Sequence, residues 1–281
     1  MCIRDRISSV FTSKYLLIIW GLCSYLCSSI TNANTAHPGG IYSVPISGNI
    51  KSAHYQGNQV LIVNGTALVG LALSAHPGPH ELTFIDSYGD LSNHSFVVRN
   101  KKYSEQHITF KTKSLVNPAK SSLERIKIET EKMKKGYLTF TPSDTQNLAP
   151  FNQPVEGKIS SLFGHRRILN GQPRSPHSGL DIAAPIGTKI ASPAPATVIL
   201  TGNFYFNGKT VFLDHGQGLI TMYCHLDQIK VEVGEKIKRN QIIGLVGETG
   251  RATGPHLHWS VSLNGNRVDP LKIIEILGPS A

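Results

Sequence analysis

The sequence predicts a mostly β protein: an N-terminal β-sandwich-like domain, a short helical connector and a C-terminal antiparallel β domain. Three observations carry this. The chain holds 26 Gly and 16 Pro with only 16% charged residues, which describes a turn-rich globular protein and argues against a helical bundle. Short apolar runs bounded by Gly, Pro and Asn recur along both halves. Helical periodicity is confined to one stretch, 121–135. At 281 residues the length fits two domains with sizeable cores.

Residues 1–33 read as a secretory signal peptide. Arg4, Arg6 and Lys14 precede an apolar stretch over 15–26, and small polar residues end at Thr31-Asn32-Ala33. About a dozen apolar residues fall short of the roughly 20 that span a bilayer, so no stable membrane anchor is expected after leader cleavage. Cleavage would remove three basic residues and Asp5, lowering the net charge from +10 to +8. It would also leave Cys224 without a disulfide partner in the chain.

The N-terminal β domain is expected over 40–115, with strands at 42–46, 59–63, 66–73, 81–85, 95–99 and 107–110. Asn64-Gly65 between two apolar runs signals a two-residue hairpin, and His76-Pro77-Gly78-Pro79 a break. The connector and linker occupy 116–150. Their helix shows a stripe of Leu123, Ile126, Thr130 and Met133, a capping box of Ser121 and Glu124, and Gly136 placed to end it. Pro142, Pro150 and Pro154 then mark a linker. The second domain, 151–277, again carries short strands, at 209–213, 219–225, 242–246 and 256–263.

This second domain holds the chemistry. His177 and Asp181 lie four residues apart, and His256 and His258 two apart; in extended chain, even separations put side chains on one face. Each pair can therefore converge on a cleft with ligands suited to zinc. Alternation in Met222-Tyr223-Cys224-His225-Leu226 places His225 with Tyr223 and sets Cys224 on the opposite face, which disfavours a Cys224–His225 nucleophilic dyad. The basic balance favours an anionic partner. No nucleic-acid recognition motif accompanies it, so no nucleic-acid partner is expected.

Phe163-Gly164, His177-Ser-Gly-Leu-Asp181-Ile-Ala-Ala-Pro185, Asp214-His215-Gly216, Met222-Tyr-Cys-His225-Leu226, Gly247-Glu-Thr-Gly250 and Thr253-Gly-Pro-His256-Leu-His258-Trp259 resemble, in order, the LytM or lysostaphin-type zinc endopeptidases of bacterial cell walls. The N-terminal β domain and connector resemble the two-domain exported Gram-negative members. The resemblance implies a LytM-type peptidase domain of duplicated, lipoyl-like β architecture. It implies one Zn2+ per chain held by His177, Asp181 and His258, with His225 and His256 as catalytic histidines. It implies hydrolysis of peptidoglycan cross-links, as a D,D-endopeptidase on diaminopimelate-type stems, in the periplasm or cell envelope, with any regulatory protein unidentified. The alternative is a non-catalytic LytM module that binds peptidoglycan or activates an amidase; such modules lack one or more ligands, whereas all five residues are present here.

Overall fold

In the computed structural model, residues 35–143 and 148–278 are described; the expected leader lies outside them. Seven strands fill 41–98: β1 (Ile41–Pro45), β2 (Ile50–Tyr55), β3 (Asn58–Gln59), β4 (Leu61–Val63), β5 (Thr66–Gly70), β6 (Gly78–Asp86) and β7 (Leu91–Val98). They form a β1-β5-β4 sheet and a β3-β2-β6-β7 sheet. Val44, Ala53, Tyr55, Val69, Leu82 and Phe96 pack in a shared core. Asn64 (φ 48°) and Gly65 (φ 69°) make the β4–β5 turn, as the Asn-Gly pair requires.

Next in the chain, β8 (Glu105–Ile108) leaves these sheets. It pairs in parallel with β10 (Arg166–Leu169), which follows α1 (Leu123–Tyr137) and β9 (Lys158–Ser161) and pairs on its other side with β11 (Gln172–Pro173). The large C-terminal sheet joins β9 to β12 (Leu180–Ala183), β13 (Lys189–Ala191), β14 (Ala196–Phe204), β15 (Gly208–Asp214), β16 (Ile220–Ile229), β17 (Lys236–Ile237), β18 (Ile242–Val246), β19 (His256–Leu263) and β20 (Asn266–Val268). A closing helix, α2 (Pro270–Leu277), has Asp269 accepting a hydrogen bond from the Leu271 backbone N–H and Pro270 at its first turn.

The sheet's two faces bury different things. Leu180, Ile182, Tyr223, Leu257, Trp259 and Val261 point into the main core, which also takes in Ile41, Leu61, Val63 and Leu68 from the N-terminal strands. On the opposite face Leu200, Phe212, Met222 and Cys224 pack with Tyr137 of α1. Asn264 fastens the two halves: its side chain accepts from the Gly70 N–H at 2.7 Å and donates to the Gly70 carbonyl at 3.1 Å.

The helix departs from its expected stripe. Leu123 is 52% exposed and Thr130 is also exposed, while Ile126, Glu129, Met133 and Gly136 are partly covered and Tyr137 is buried. Ser122, not Ser121, precedes the helix and makes no side-chain cap. Gly136 lies inside it: a Cβ there would stand 3.3 Å from the Phe212 ring, so this glycine permits close approach to β15.

The proline-marked linker is anchored rather than loose on the side that is described. Leu148, Phe151 and Val155 are buried in the main core, with the Phe151 ring stacked on Trp259 at 6.2 Å and edge-on to His215 at 5.4 Å. His215 is itself fully engaged, Nδ1 with the Pro195 carbonyl and Nε2 with Thr221 Oγ1. Burial pulls its pKa down to about 4. Because the folded state resists a proton that the unfolded chain accepts below about pH 6.5, His215 should subtract stability as pH falls from there toward 4, by about 3 kcal/mol in full. Denaturant unfolding at pH 7 and pH 4.5 should show a smaller acid loss for His215→Gln than for the parent.

Candidate functional site

The site lies on the sheet face that carries Cys224 and Met222. Asp181 on β12 is directly opposite His258 on β19, and His258 is opposite Cys224 on β16. His256 shares the face of His258, two residues away. His177 precedes β12 and swings its ring onto the same place, with Nε2 at 2.9 Å from Asp181 Oδ1 and 3.0 Å from His258 Nδ1. His258 Nδ1 stands 2.7 Å from the same carboxylate oxygen. The ligand atoms of His177, Asp181 and His258 thus lie within 4.8 Å of one another, and all three residues are buried.

The outer ring nitrogens determine what the inner ones can do. Ser161 Oγ donates to Gln106 Oε1, and Ser260 Oγ donates to the Ser178 carbonyl, so each hydroxyl proton is committed. His177 Nδ1 faces the Leu162 carbonyl at 2.8 Å and Ser161 Oγ at 3.0 Å; His258 Nε2 faces Ser260 Oγ at 3.0 Å. Both outer nitrogens therefore carry the ring N–H, and both inner nitrogens present lone pairs to Asp181. Three acceptors converging at hydrogen-bond distance suit a cation between them. Burial pulls the His258 pKa to about 4 despite the opposing effect of Asp181, so His258 is neutral at neutral pH. Burial alone would raise the Asp181 carboxyl, but its closeness to His177 and His258 outweighs this and holds it well below the usual carboxylate range. Two imidazole nitrogens and one carboxylate oxygen, each backed by further hydrogen bonds, fit zinc with a fourth position open.

His225 reaches this face by a route that alternation does not provide. Cys224, not Tyr223, is on the site face, so regular alternation would bury His225 in the main core. Its backbone instead adopts φ 63°, beside irregular register in β16, and its ring comes to 4.8 Å from His256 and 6.0 Å from His258. The conformation is held by His225 N–H to the Asn207 carbonyl and His225 Nδ1 to the Thr249 carbonyl, at 2.9 and 2.8 Å. Burial, reinforced by the charges of His256 and His258, lowers the His225 pKa to about 3. His256 Nδ1 likewise donates to the Gly254 carbonyl at 2.8 Å, and its Nε2 stands 4.0 Å from Asp181 Oδ1. Both rings thus keep Nε2 available.

All five histidine and aspartate residues singled out in the sequence are brought together. Others were not foreseen in these roles. Ser161 and Ser260 orient the rings of His177 and His258, Gln106 of β8 backs Ser161, and Thr249 anchors His225. Arg167 Nη2 pairs with Asp181 Oδ2 at 3.2 Å, whereas Arg166 turns to Glu105 at 3.2 Å. Gly179 is required for room: a Cβ would lie 2.6 Å from the Trp259 carbonyl and 2.7 Å from the His258 ring. Cys224 is buried and its thiol is pushed up to about 12, mainly by burial, which leaves no nucleophilic thiolate.

Residues 175–270 match the model of peptidase family M23. The chain is 43% identical over 122 residues to the peptidoglycan DD-endopeptidase ShyA of Vibrio cholerae serotype O1, covering 42% of this chain and 28% of that protein. It is 36% identical over 119 residues to the DD-carboxypeptidase/endopeptidase Mpg of Neisseria meningitidis serogroup B, covering 42% of this chain and 27% of that protein. The chain thus spans less than a third of the length of these relatives. A crystal structure from Pseudomonas aeruginosa assigned to peptidase M23 shares 41% identity and superposes with a TM-score of 0.71, covering 86% of this chain and 96% of that one.

Proposed function

The chain belongs to peptidase family M23, and from that premise we propose that it is a zinc metalloendopeptidase that hydrolyses the peptide cross-links of bacterial peptidoglycan. The observation that carries this reading is the cluster of three inward-facing acceptors, His177 Nε2, Asp181 Oδ1 and His258 Nδ1, flanked by two histidines with available Nε2 atoms. The choice of substrate rests on the relatives named as peptidoglycan DD-endopeptidases and points to D,D bonds in diaminopimelate-type stems. Action on that polymer would require the protein to work outside the cytoplasm, and the proposed compartment is the periplasm or cell envelope. Among the described residues no helix is long and apolar enough to cross a membrane.

A single zinc ion held by His177, Asp181 and His258 would supply Lewis-acid polarisation of the scissile carbonyl and make water more acidic. The protein's own groups do the rest. His225, kept neutral by burial and with its Nδ1–H fixed on Thr249, offers Nε2 as an acceptor that orients the attacking water. His256 is the more open of the two, with a side chain 14% exposed, and carries the proton from the water to the leaving amine. The shared strand of His256 and His258 holds the proton carrier at a fixed distance from a ligand.

Purified diaminopimelate-type sacculi, digested and resolved into muropeptides, test the proposal. Cross-linked dimers should disappear when the zinc-loaded protein is added and persist when the metal is chelated. His225→Ala should retain zinc and lower the rate by about 10²- to 10⁴-fold. Dimers that persist with the zinc-loaded protein would overturn the assignment.

A further inference from the structure

Arg251 lies two residues beyond Thr249, whose carbonyl anchors His225, and its charge is not balanced by a carboxylate among the described residues. Arg251 follows Gly250, whose backbone packs so closely on Gly208 that a Cβ would meet the Gly208 nitrogen at 2.4 Å. The Arg251 N–H donates to the Phe206 carbonyl at 2.8 Å and its guanidinium lies 4.4 Å over the Phe206 ring. Among the described residues that guanidinium has no carboxylate and no hydrogen-bond acceptor. Burial, together with the neighbouring charges of Arg167 and Arg174, lowers its pKa to about 10. Arg174 bonds only neutral oxygens, those of Pro173, Val116, Asn117 and Gln172. Arg167 spends one amino group on Asp181, while its Nε is buried without an acceptor. Of the three guanidiniums only that of Arg167 meets a carboxylate among the described residues, and that carboxylate belongs to the proposed metal cradle. An unpaired, partly desolvated guanidinium such as that of Arg251 is suited to a bidentate anion.

We infer that Arg251, supported by the charges of Arg167 and Arg174, forms a subsite for a free carboxylate of the substrate on the leaving-amine side of the scissile bond. This rests on the peptidase reading and narrows it. Diaminopimelate has two amino-acid ends; when the amine of one end is acylated in a cross-link, the carboxylate on that same carbon stays free. An amidated diaminopimelate, or a glycine bridge, lacks it. The subsite therefore selects the cross-link chemistry.

The test uses the zinc-loaded protein and two muropeptide dimers that differ only in whether the diaminopimelate carboxylate next to the scissile nitrogen is free or amidated. In parallel, calorimetry measures binding of the two corresponding monomers, which carry the released amine. A charge-assisted pairing should favour the free carboxylate by about 10- to 100-fold in kcat/KM and in monomer affinity. Arg251→Ala should bring both ratios close to one and Arg251→Lys should restore part of the preference. These ratios are insensitive to a general loss of folded protein. Equal cleavage and equal binding of the two forms, or ratios that survive Arg251→Ala, would overturn the subsite while leaving the peptidase reading intact. Preferential monomer binding without cleavage of either dimer would support the subsite and overturn the peptidase reading.

Discussion

Asp181→Ala should abolish stoichiometric zinc binding and reduce peptide hydrolysis by ~10³-fold or more, since several kcal/mol of transition-state charge stabilisation depends on the metal. The change removes the only anionic donor of the three and leaves the Arg167 guanidinium unpaired beside two imidazole lone pairs, so a cation is then repelled where it was attracted. A stability readout separates this from unfolding. Zinc at 100 times its dissociation constant adds about 2.7 kcal/mol to a folded state that alone binds it. The parent protein should therefore melt several degrees higher with zinc than with a chelator, and Asp181→Ala should melt at the same temperature in both.

Phe151→Ala should lower stability by about 3–5 kcal/mol, the usual range for deleting a fully buried aromatic ring. Phe151 is 0% exposed, stacks on Trp259 and meets His215 edge-on, so truncation opens a void at the back of β19, directly behind the strand that carries His256 and His258. Equilibrium unfolding in urea checks the magnitude. A loss below about 1 kcal/mol would mean that the linker is not the anchored strap described here.

How the sequence encodes the site differs from residue to residue. The pair His256/His258 was legible because both lie on one strand, where even spacing puts side chains on one face, whereas His177 precedes β12 and reaches Asp181 from irregular chain rather than by alternation. His225 was selected on the premise of regular alternation, yet it arrives through a left-handed backbone that only the loops around Asn207 and Thr249 sustain. The contributions of Ser161, Ser260 and Gln106 depend on strand register between segments remote in sequence, and no local pattern announces them. The same limit explains β8: a short strand reads the same whether its partner is a neighbour or, as here, β10. Gly136 looked like a helix end because glycine often is one; its use against Phe212 depends on tertiary packing. The described residues of 138–154 include no helix or strand, and the prolines there carry no information about burial, which the isolated Phe151 supplies. The closing helix was missed although Asp269-Pro270 is a strong start signal, because its span is short and lies at the end of a strand-rich region.

The most direct test of the metal centre is anomalous diffraction at the zinc edge from crystals of the zinc-loaded protein. One peak per chain is expected, about 2.0–2.2 Å from His177 Nε2, Asp181 Oδ1 and His258 Nδ1, with His225 and His256 uncoordinated. A peak bound through His225 or His256 in place of any of those three, or no peak within reach of Asp181, would contradict the assignment.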